Sequence, residues 1–254
     1  IDVNLEHKYN YSYGNGTINL KLQSSSLWSA YQYSKLILSA KNNNKLDKLK
    51  INTRAYLQFG TGNNWAEESK LGLAGANNEE MMDSKFTRTD GIVSSQFMGY
   101  DYTTNYFHQS GGLNLRGYTG YLAPEFNEDG TIASYDYNGT SGAAFNTEID
   151  FTAYLPYSIR KNNFASYIFA DAGIISNEGM IRRKISEEKY EELFSDIRVD
   201  AGIGFTYTLR NFGPLEAVKP LVIRFDMPLF LNRPPASDED FFQMRWILGI
   251  GKTF

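Results

Sequence analysis

Residues 143–155 read AAFNTEIDFTAYL. Phe145, Thr147, Ile149, Phe151, Ala153 and Leu155 share one parity, and Asn146, Glu148, Asp150, Thr152 and Tyr154 share the other. Successive side chains of a strand point to opposite faces, so this alternation predicts a strand with one apolar and one polar side. The same pattern repeats downstream. Ile168, Ala170, Ala172 and Ile174 oppose Tyr167, Phe169, Asp171 and Gly173, and Val199–Leu209 alternates with Asp200, Gly202, Gly204, Thr206 and Thr208. Leu221, Ile223, Phe225 and Met227 then oppose Val222, Arg224 and Asp226. In 242–254, Phe242, Met244, Trp246, Leu248 and Ile250 oppose Gln243, Arg245, Gly249, Gly251 and Thr253, and the chain ends on Phe254.

Upstream, strands are predicted over 3–13, 18–22, 29–41 and 49–59, with turns at 14–16 and at Asn42–Asn44. Between 61 and 141 the alternation lapses, and Gly, Asn, Asp, Glu and Thr dominate. A connection of this length in a strand-rich chain counts either against the strand assignment or for a function, and it reads as one long excursion with local structure. The polar faces carry Asp, Glu and Arg beside Gly, as a wet but crowded lumen would, whereas a soluble sandwich packs its apolar faces together. Connections alternate in length: 14–16, 42–46, 156–163 and 210–217 are short, while 61–141, 175–197 and 229–240 are long. Outer-membrane barrels have this asymmetry; the short 25–28 connection is the exception. The expected fold is all-β, a transmembrane antiparallel up-and-down β-barrel. Phe242, Met244, Trp246, Leu248 and Ile250 are expected to face lipid.

Composition is compatible with that reading. The chain has 254 residues, 42% hydrophobic, with 18 Tyr, 17 Phe and no Cys. No run of about 18 apolar residues exists to cross a bilayer as a helix, but barrel strands average to a polar composition. The absence of Cys removes disulfides and thiolate metal sites, and two histidines, His7 and His108, do not make a histidine-rich metal centre. A net charge of -4 argues against nucleic acid as a partner. The one basic run, Arg182–Lys184, is followed by Glu187 and Glu188 and reads as a solvated loop. No secretory signal opens the chain at Ile1, so the expectation is that it was cleaved or that the sequence continues a longer one.

Inside the excursion, Gly111–Tyr118 reads GGLNLRGY. An arginine on a loop folded into a lumen is costly unless paired, and strand parity puts Glu148 and Asp171 on the polar faces of adjacent strands. These residues resemble the bacterial surface antigen superfamily, which contains the BamA-like outer-membrane assembly factors and the two-partner secretion transporters. The resemblance rests on Tyr106-Phe107, Gly111-Gly112 and Leu115-Arg116-Gly117-Tyr118 with five strands following. Glu148 before Leu155-Pro156, Phe169-Ala170-Asp171-Ala172-Gly173, and Ala201-Gly202-Ile203-Gly204 through Phe212-Gly213-Pro214-Leu215 match as well. It is specific over 106–254 and only compatible over 1–60.

The resemblance implies that this chain, 1–254, is the C-terminal part of one outer-membrane barrel domain: nine strands of sixteen, with seven more and any periplasmic or enzymatic domain lying outside it. It also implies that Arg116 reaches Glu148 and Asp171, that Phe169 and Gly173 belong to the strand motif, and that Trp246 and Phe254 belong to the C-terminal insertion signal. The implied function is non-enzymatic insertion or translocation of proteins at the bacterial outer membrane. The implied partners are outer-membrane lipid, client proteins and accessory lipoproteins, with no cofactor, metal or small-molecule substrate. The alternatives are a barrel anchoring a fused upstream lipase, phosphatase or peptidase, and a passive channel. Within the chain, no G-x-S-x-G, H-E-x-x-H or P-loop occurs, so no catalytic residue is expected, and Glu148 and Asp171 read as structural partners of Arg116. No role for the 63–105 insertion emerges from the sequence.

Overall fold

The structure, a computed structural model, describes residues 1–25, 28–84, 107–119, 124–126, 132–135, 138–157, 163–176, 194–209, 220–234 and 240–251. Nine long or terminal strands make the wall: β1 (Asp2–Tyr11), β2 (Gly14–Ser24), β3 (Gln32–Leu46) and β4 (Leu49–Asn64) precede the excursion, and β10 (Ser141–Asp150), β11 (Phe164–Ser176), β12 (Arg198–Leu209), β13 (Leu221–Leu231) and β14 (Ile247–Ile250) follow it. The excursion contributes β5 (Leu71–Gly72), helix α1 (Asn78–Asp83), β6 (Phe107–Gln109), β7 (Pro124–Phe126), β8 (Ile132–Tyr135) and β9 (Asn138–Gly139).

Consecutive wall strands pair antiparallel, up and down, in the order β1-β2-β3-β4-β10-β11-β12-β13-β14, and β6 adds itself in parallel to β14. β5 pairs with β9, and β7 with β8. Among the described residues the sheet holds nine consecutive antiparallel strands, as the sequence reading expects, and does not close on itself: β1 and β6 lie at its edges, β6 on the edge of β14.

Register sorts the two faces. On the outer face Leu5, Leu20, Leu38, Leu57 and Ala143 follow one another across five strands. Farther along, Ile149, Ile168, Ile203 and Met227 do the same, as do Phe205, Phe225 and Leu248. Leu5, Leu22, Phe145, Ile168, Phe205 and Leu248 remain exposed on this face. Phe242, Met244 and Trp246 are exposed as well. The inner face is the reverse: Arg54, Asn146, Glu148, Asp171, Asp200, Arg224 and Asp226 are buried. What buries them is the excursion, whose Leu71, Leu73, Ala74, Leu113, Leu115 and Tyr118 form the hydrophobic core together with Tyr56, Ala144, Ile175 and Leu231 of the wall. Each such side chain removed from water contributes roughly 1.5–3 kcal/mol, which fixes the excursion against the wall.

Several strand limits differ from the sequence reading. The turn expected at 14–16 lies at Ser12 and Tyr13, and Gly14–Gly16 instead opens β2, with Gly14 opposite Tyr11 and Gly16 opposite Tyr9. Asn42–Asn44 is not a turn but the end of β3, where Asn42 and Asn43 pair with Gly16 and Asn15 on one side and with Thr53 and Asn52 on the other. Asn43 Nδ2 donates to Asn15 Oδ1 at 3.1 Å, so side chains taken as turn formers instead bridge strands; the reversal lies at Asp47, whose φ of 53° is left-handed. The 143–155 strand stops at Asp150, because Asp150 Oδ1 accepts from Thr152 N at 2.8 Å and Thr152–Tyr154 forms a 3-10 turn. β13 continues past Met227 to Leu231 through a bulge, in which Gly202 pairs with Pro228 and Ala201 with Phe230, leaving Leu229 extra. A bulge is one of the few places within a sheet that tolerates proline. Finally, β14 is regular only over Ile247–Ile250; residues before it follow β13 through the Phe230–Phe242 bridge and a bond from Gln243 N to Leu229 O at 3.1 Å.

Candidate functional site

The GGLNLRGY loop is held from below by the LGLAGA stretch at 71–76. Leu113 N donates to Gly72 O at 3.0 Å, Leu115 N to Leu73 O at 3.1 Å, and Ala76 N to Gln109 O at 2.9 Å. This close ladder demands glycine. A Cβ on Gly112 would lie 2.5 Å from Gly72 O, and its φ of 49° is left-handed. Gly112 O accepts from Arg54 Nη2 at 2.7 Å, and Gly112 N donates to Glu80 Oε2 at 3.1 Å. Glu80 belongs to α1, where it forms a capping box with Asn77. Burial pushes the Glu80 carboxyl above its ordinary value, against the bonds from Asn77 and the nearby Arg54 charge.

Arg116 is fully buried. Its Nε and Nη2 donate to Asp171 Oδ2 and Oδ1 at 2.8 and 3.0 Å, and its Nη1 donates to Glu148 Oε1 at 2.5 Å. The guanidinium lies 4.0 Å from the centre of the Phe169 ring. Register explains this seat. Glu148 faces Phe169 across β10 and β11, and Asp171 is two residues along from Phe169, so an aromatic floor has a carboxylate on each side. Planar five-donor geometry suits a bidentate grip on one carboxylate and a single bond to the other. Burial alone would lower the pKa of Arg116, but Asp171 and then Glu148 more than offset it and hold the group well above its usual value. Asn146 completes the seat: its Nδ2 lies 3.1 Å from Asp171 Oδ1, Leu113 O and Asn114 O, and its Oδ1 accepts from Arg54 Nη1 at 3.0 Å.

The neighbours of Arg116 are seated just as tightly. Leu115 enters the gap left by Gly173, where a Cβ would stand 2.8 Å from Leu115 Cδ1. Gly117 lies against Asp200 and Leu231, with its would-be Cβ 2.6 Å from Asp200 Cβ. Tyr118 OH donates to Asn232 Oδ1 at 2.8 Å. Gly111 abuts Ala76, leaving 2.6 Å between a Cβ and Ala76 Cα. Of the remaining residues of interest, Trp246 sits on the outer face with its ring 6.3 Å from that of Phe225. Phe254, Tyr106 and 212–215 lie outside the described residues.

A second charged group escaped the sequence reading. Arg224 Nε is 2.7 Å from Asp226 Oδ2 on its own strand, and Asp226 accepts a hydrogen bond from Tyr167 OH. Arg224 also donates to Ser110 Oγ at 3.0 Å and to His108 Nδ1. His108 Nε2 lies 2.8 Å from Ala74 O; since a carbonyl only accepts, Nε2 carries the proton and the ring is neutral. Burial, and then the Arg224 charge, hold His108 well below its ordinary pKa. The signal for this group lay in Gly249, directly between Arg224 and His108 in register. The signal for the 71–76 support was its run of small and apolar residues.

Chemically the arrangement suits anchoring. The carboxylates of Glu148 and Asp171 are both taken up by a guanidinium that keeps its proton, and no group of three or more metal-ligating carboxylates or imidazoles occurs among the described residues. Comparison with models of known protein families gives no match, and comparison with curated proteins gives none at significance.

Proposed function

We propose that this chain is the C-terminal wall of an outer-membrane β-barrel of the surface antigen type, and that it inserts or translocates other polypeptides without catalysing a covalent reaction. The observation that carries the reading is the inside-out distribution: the outer face is apolar and exposed, while the inner face holds buried, paired charges beneath the chain's own excursion. In water such an outer face is a liability, and in lipid it is the required surface. Strands β1–β4 and β10–β13, of 10–16 residues, are long enough for the roughly 9–11 that a tilted crossing takes. Aromatic pairs near both ends of the wall, Phe164 with Tyr207 at 4.8 Å and Phe230 with Phe242 at 5.1 Å, fit interfacial girdles. The Arg116 seat supports the surface antigen reading in particular, because a large loop is fixed on the lumen side by residues of that family's motif.

The test is reconstitution of the full-length protein in phospholipid vesicles, followed by addition of a urea-unfolded barrel protein. Faster appearance of heat-resistant folded client than with empty vesicles is the expected result. Stable insertion without acceleration favours an anchor for a fused enzyme, and a protein that stays in the aqueous phase without detergent overturns the membrane reading itself.

A further inference from the structure

We infer that the cavity between strands β2–β4 and helix α1 binds a neutral polyhydroxylated ring, a sugar of monosaccharide size, and that the described part of the 63–105 insertion is its roof. The inference goes beyond the reading above and takes nothing from it. The cavity measures about 160 Å³. An apolar cavity of roughly 150 Å³ admits a benzene ring, so this one seats a single six-membered ring, and substituents can project at the margin where Asp83 is exposed. Register lays the floor: Asn19, Ser39 and Tyr56 face one another across β2, β3 and β4, and Lys21 faces Ile37 in the next row. Residues of α1 lie across the top.

Matched charges decide the ligand class. Lys35 Nζ lies 3.0 Å from Glu79 Oε2, Lys21 Nζ lies 3.0 Å from Asp2 Oδ2, and Glu80 accepts from the Asn77 and Gly112 amides. An anion would have to draw a lysine from its carboxylate, and a cation would have to draw a carboxylate from its partners; breaking such a pair is costly where it is buried, as Lys35 is. The unmatched groups inside are uncharged. Asn19 and Ser39, opposite one another in register, have no protein partner among the described residues, and the buried Asn19 Oδ1 accepts from nothing. Beside them Ile37 and Leu71 present aliphatic surface continuous with the hydrophobic core. Water would serve the amide and the hydroxyl and leave that aliphatic side uncovered. A sugar ring serves both, since its hydroxyls donate and accept around its rim while its C–H faces are apolar, and a largely apolar wall with a few convergent polar groups is the usual make-up of a small-molecule site. Asp83, solvated at the margin, is a strong acceptor for one more hydroxyl. Occupancy reaches farther than the cavity. Gln23 and Lys35 donate to Glu79, and Glu80 accepts from Gly112 N, so α1 links the floor to the GGLNLRGY loop. A ring bonded to Asn19 on one side and Asp83 on the other ties β2 to α1 and steadies that link.

The experiment uses the full-length protein in phospholipid vesicles, free of detergents whose sugar headgroups would compete. Methyl glucopyranoside, methyl galactopyranoside and myo-inositol are titrated by calorimetry. Saturable binding of at least one of them is the expected result; if none binds saturably, the cavity holds water and the proposal is overturned. Inorganic phosphate and ethanolamine are titrated in the same way, and tighter binding of either than of the three neutral probes overturns the ligand class. Asn19→Leu removes the free amide and weakens binding about tenfold or more, and Ser39→Phe fills the cavity and abolishes it; undiminished affinity in either variant overturns the site. Amide exchange of 78–83 in the unaltered protein, about threefold slower or more with saturating ligand, places the ligand without any variant, and unchanged exchange there overturns the proposal even if a probe binds. No readout involves a client polypeptide, and the titration runs equally on protein that stays aqueous, so the inference and the proposed function fail separately.

Discussion

Strands β1 and β2 and strands β10–β13 obey the same alternation, yet their inner faces lead different lives. On β1 and β2 the inward charges are solvated: Lys8 pairs with Glu6, and Lys21 with Asp2, all at least partly exposed. On β10–β13 the inward Glu148, Asp171, Arg198, Asp200, Arg224 and Asp226 are buried, and glycines stand among them at 142, 173, 202 and 204. A charge alternating with apolar residues says only that a face is polar. Glycine beside it says that something else lies on that face, because a missing side chain is the room another group fills; Leu113 at Gly142 and Leu115 at Gly173 are two such groups.

The sharpest way to break this contrast is Arg116→Ala. It strands Glu148 and Asp171 without their shared cation, a change that costs about 3–5 kcal/mol for a buried pair. Proteolysis of the loop, with the wall strands still protected, is the expected outcome; an intact loop would equate the two faces. Next comes Gly173→Ala, which forces a methyl against Leu115 and the Ala143 carbonyl at a cost of roughly 1–3 kcal/mol, read as a lower denaturation midpoint. A third test uses acid. His108 binds a proton less readily in the fold than in the unfolded chain, so its contribution is intact above about pH 6.5. The contribution falls by about 1.4 kcal/mol per pH unit as the pH drops from there toward the folded value. The protection factors of the 107–109 amides, exchange corrected for its intrinsic pH dependence, should fall accordingly below that pH, and His108→Asn should remove the dependence. The smallest effect is on the solvated face, where Lys8→Ala should leave the midpoint unmoved.

Much of the wall was legible because period-two patterning reports directly on which way a side chain points. The parity of Glu148, Asp171, Asp200 and Arg224 is read from the sequence, and all four are inward in the structure. Sequence could not show that the seat is three-sided, with Phe169 as its floor and Asn146 bridging to Arg54, because that depends on the register of β4, β10 and β11. The small and apolar run of LGLAGA marks a packed segment, but what it packs against was not legible, since backbone ladders between irregular segments leave no periodic trace. The Asn42–Asn44 turn misled for a related reason: asparagine signals a turn through local bonds, and here those bonds go to neighbouring strands.

The bulge at Leu229 has a wider meaning. It works as a phase step: below it the odd-numbered residues Ile223, Phe225 and Met227 face outward, and above it Leu231 faces inward, into the wall behind Gly117. One strand thereby runs two codes in succession, the first written for the outer apolar surface and the second for the loop's socket. A deletion of Leu229 would remove the bulge and leave both codes in step, with Phe230 still opposite Ala201 and facing outward and Leu231 still opposite Asp200 and facing inward, so the step costs the strand one residue and no change of meaning.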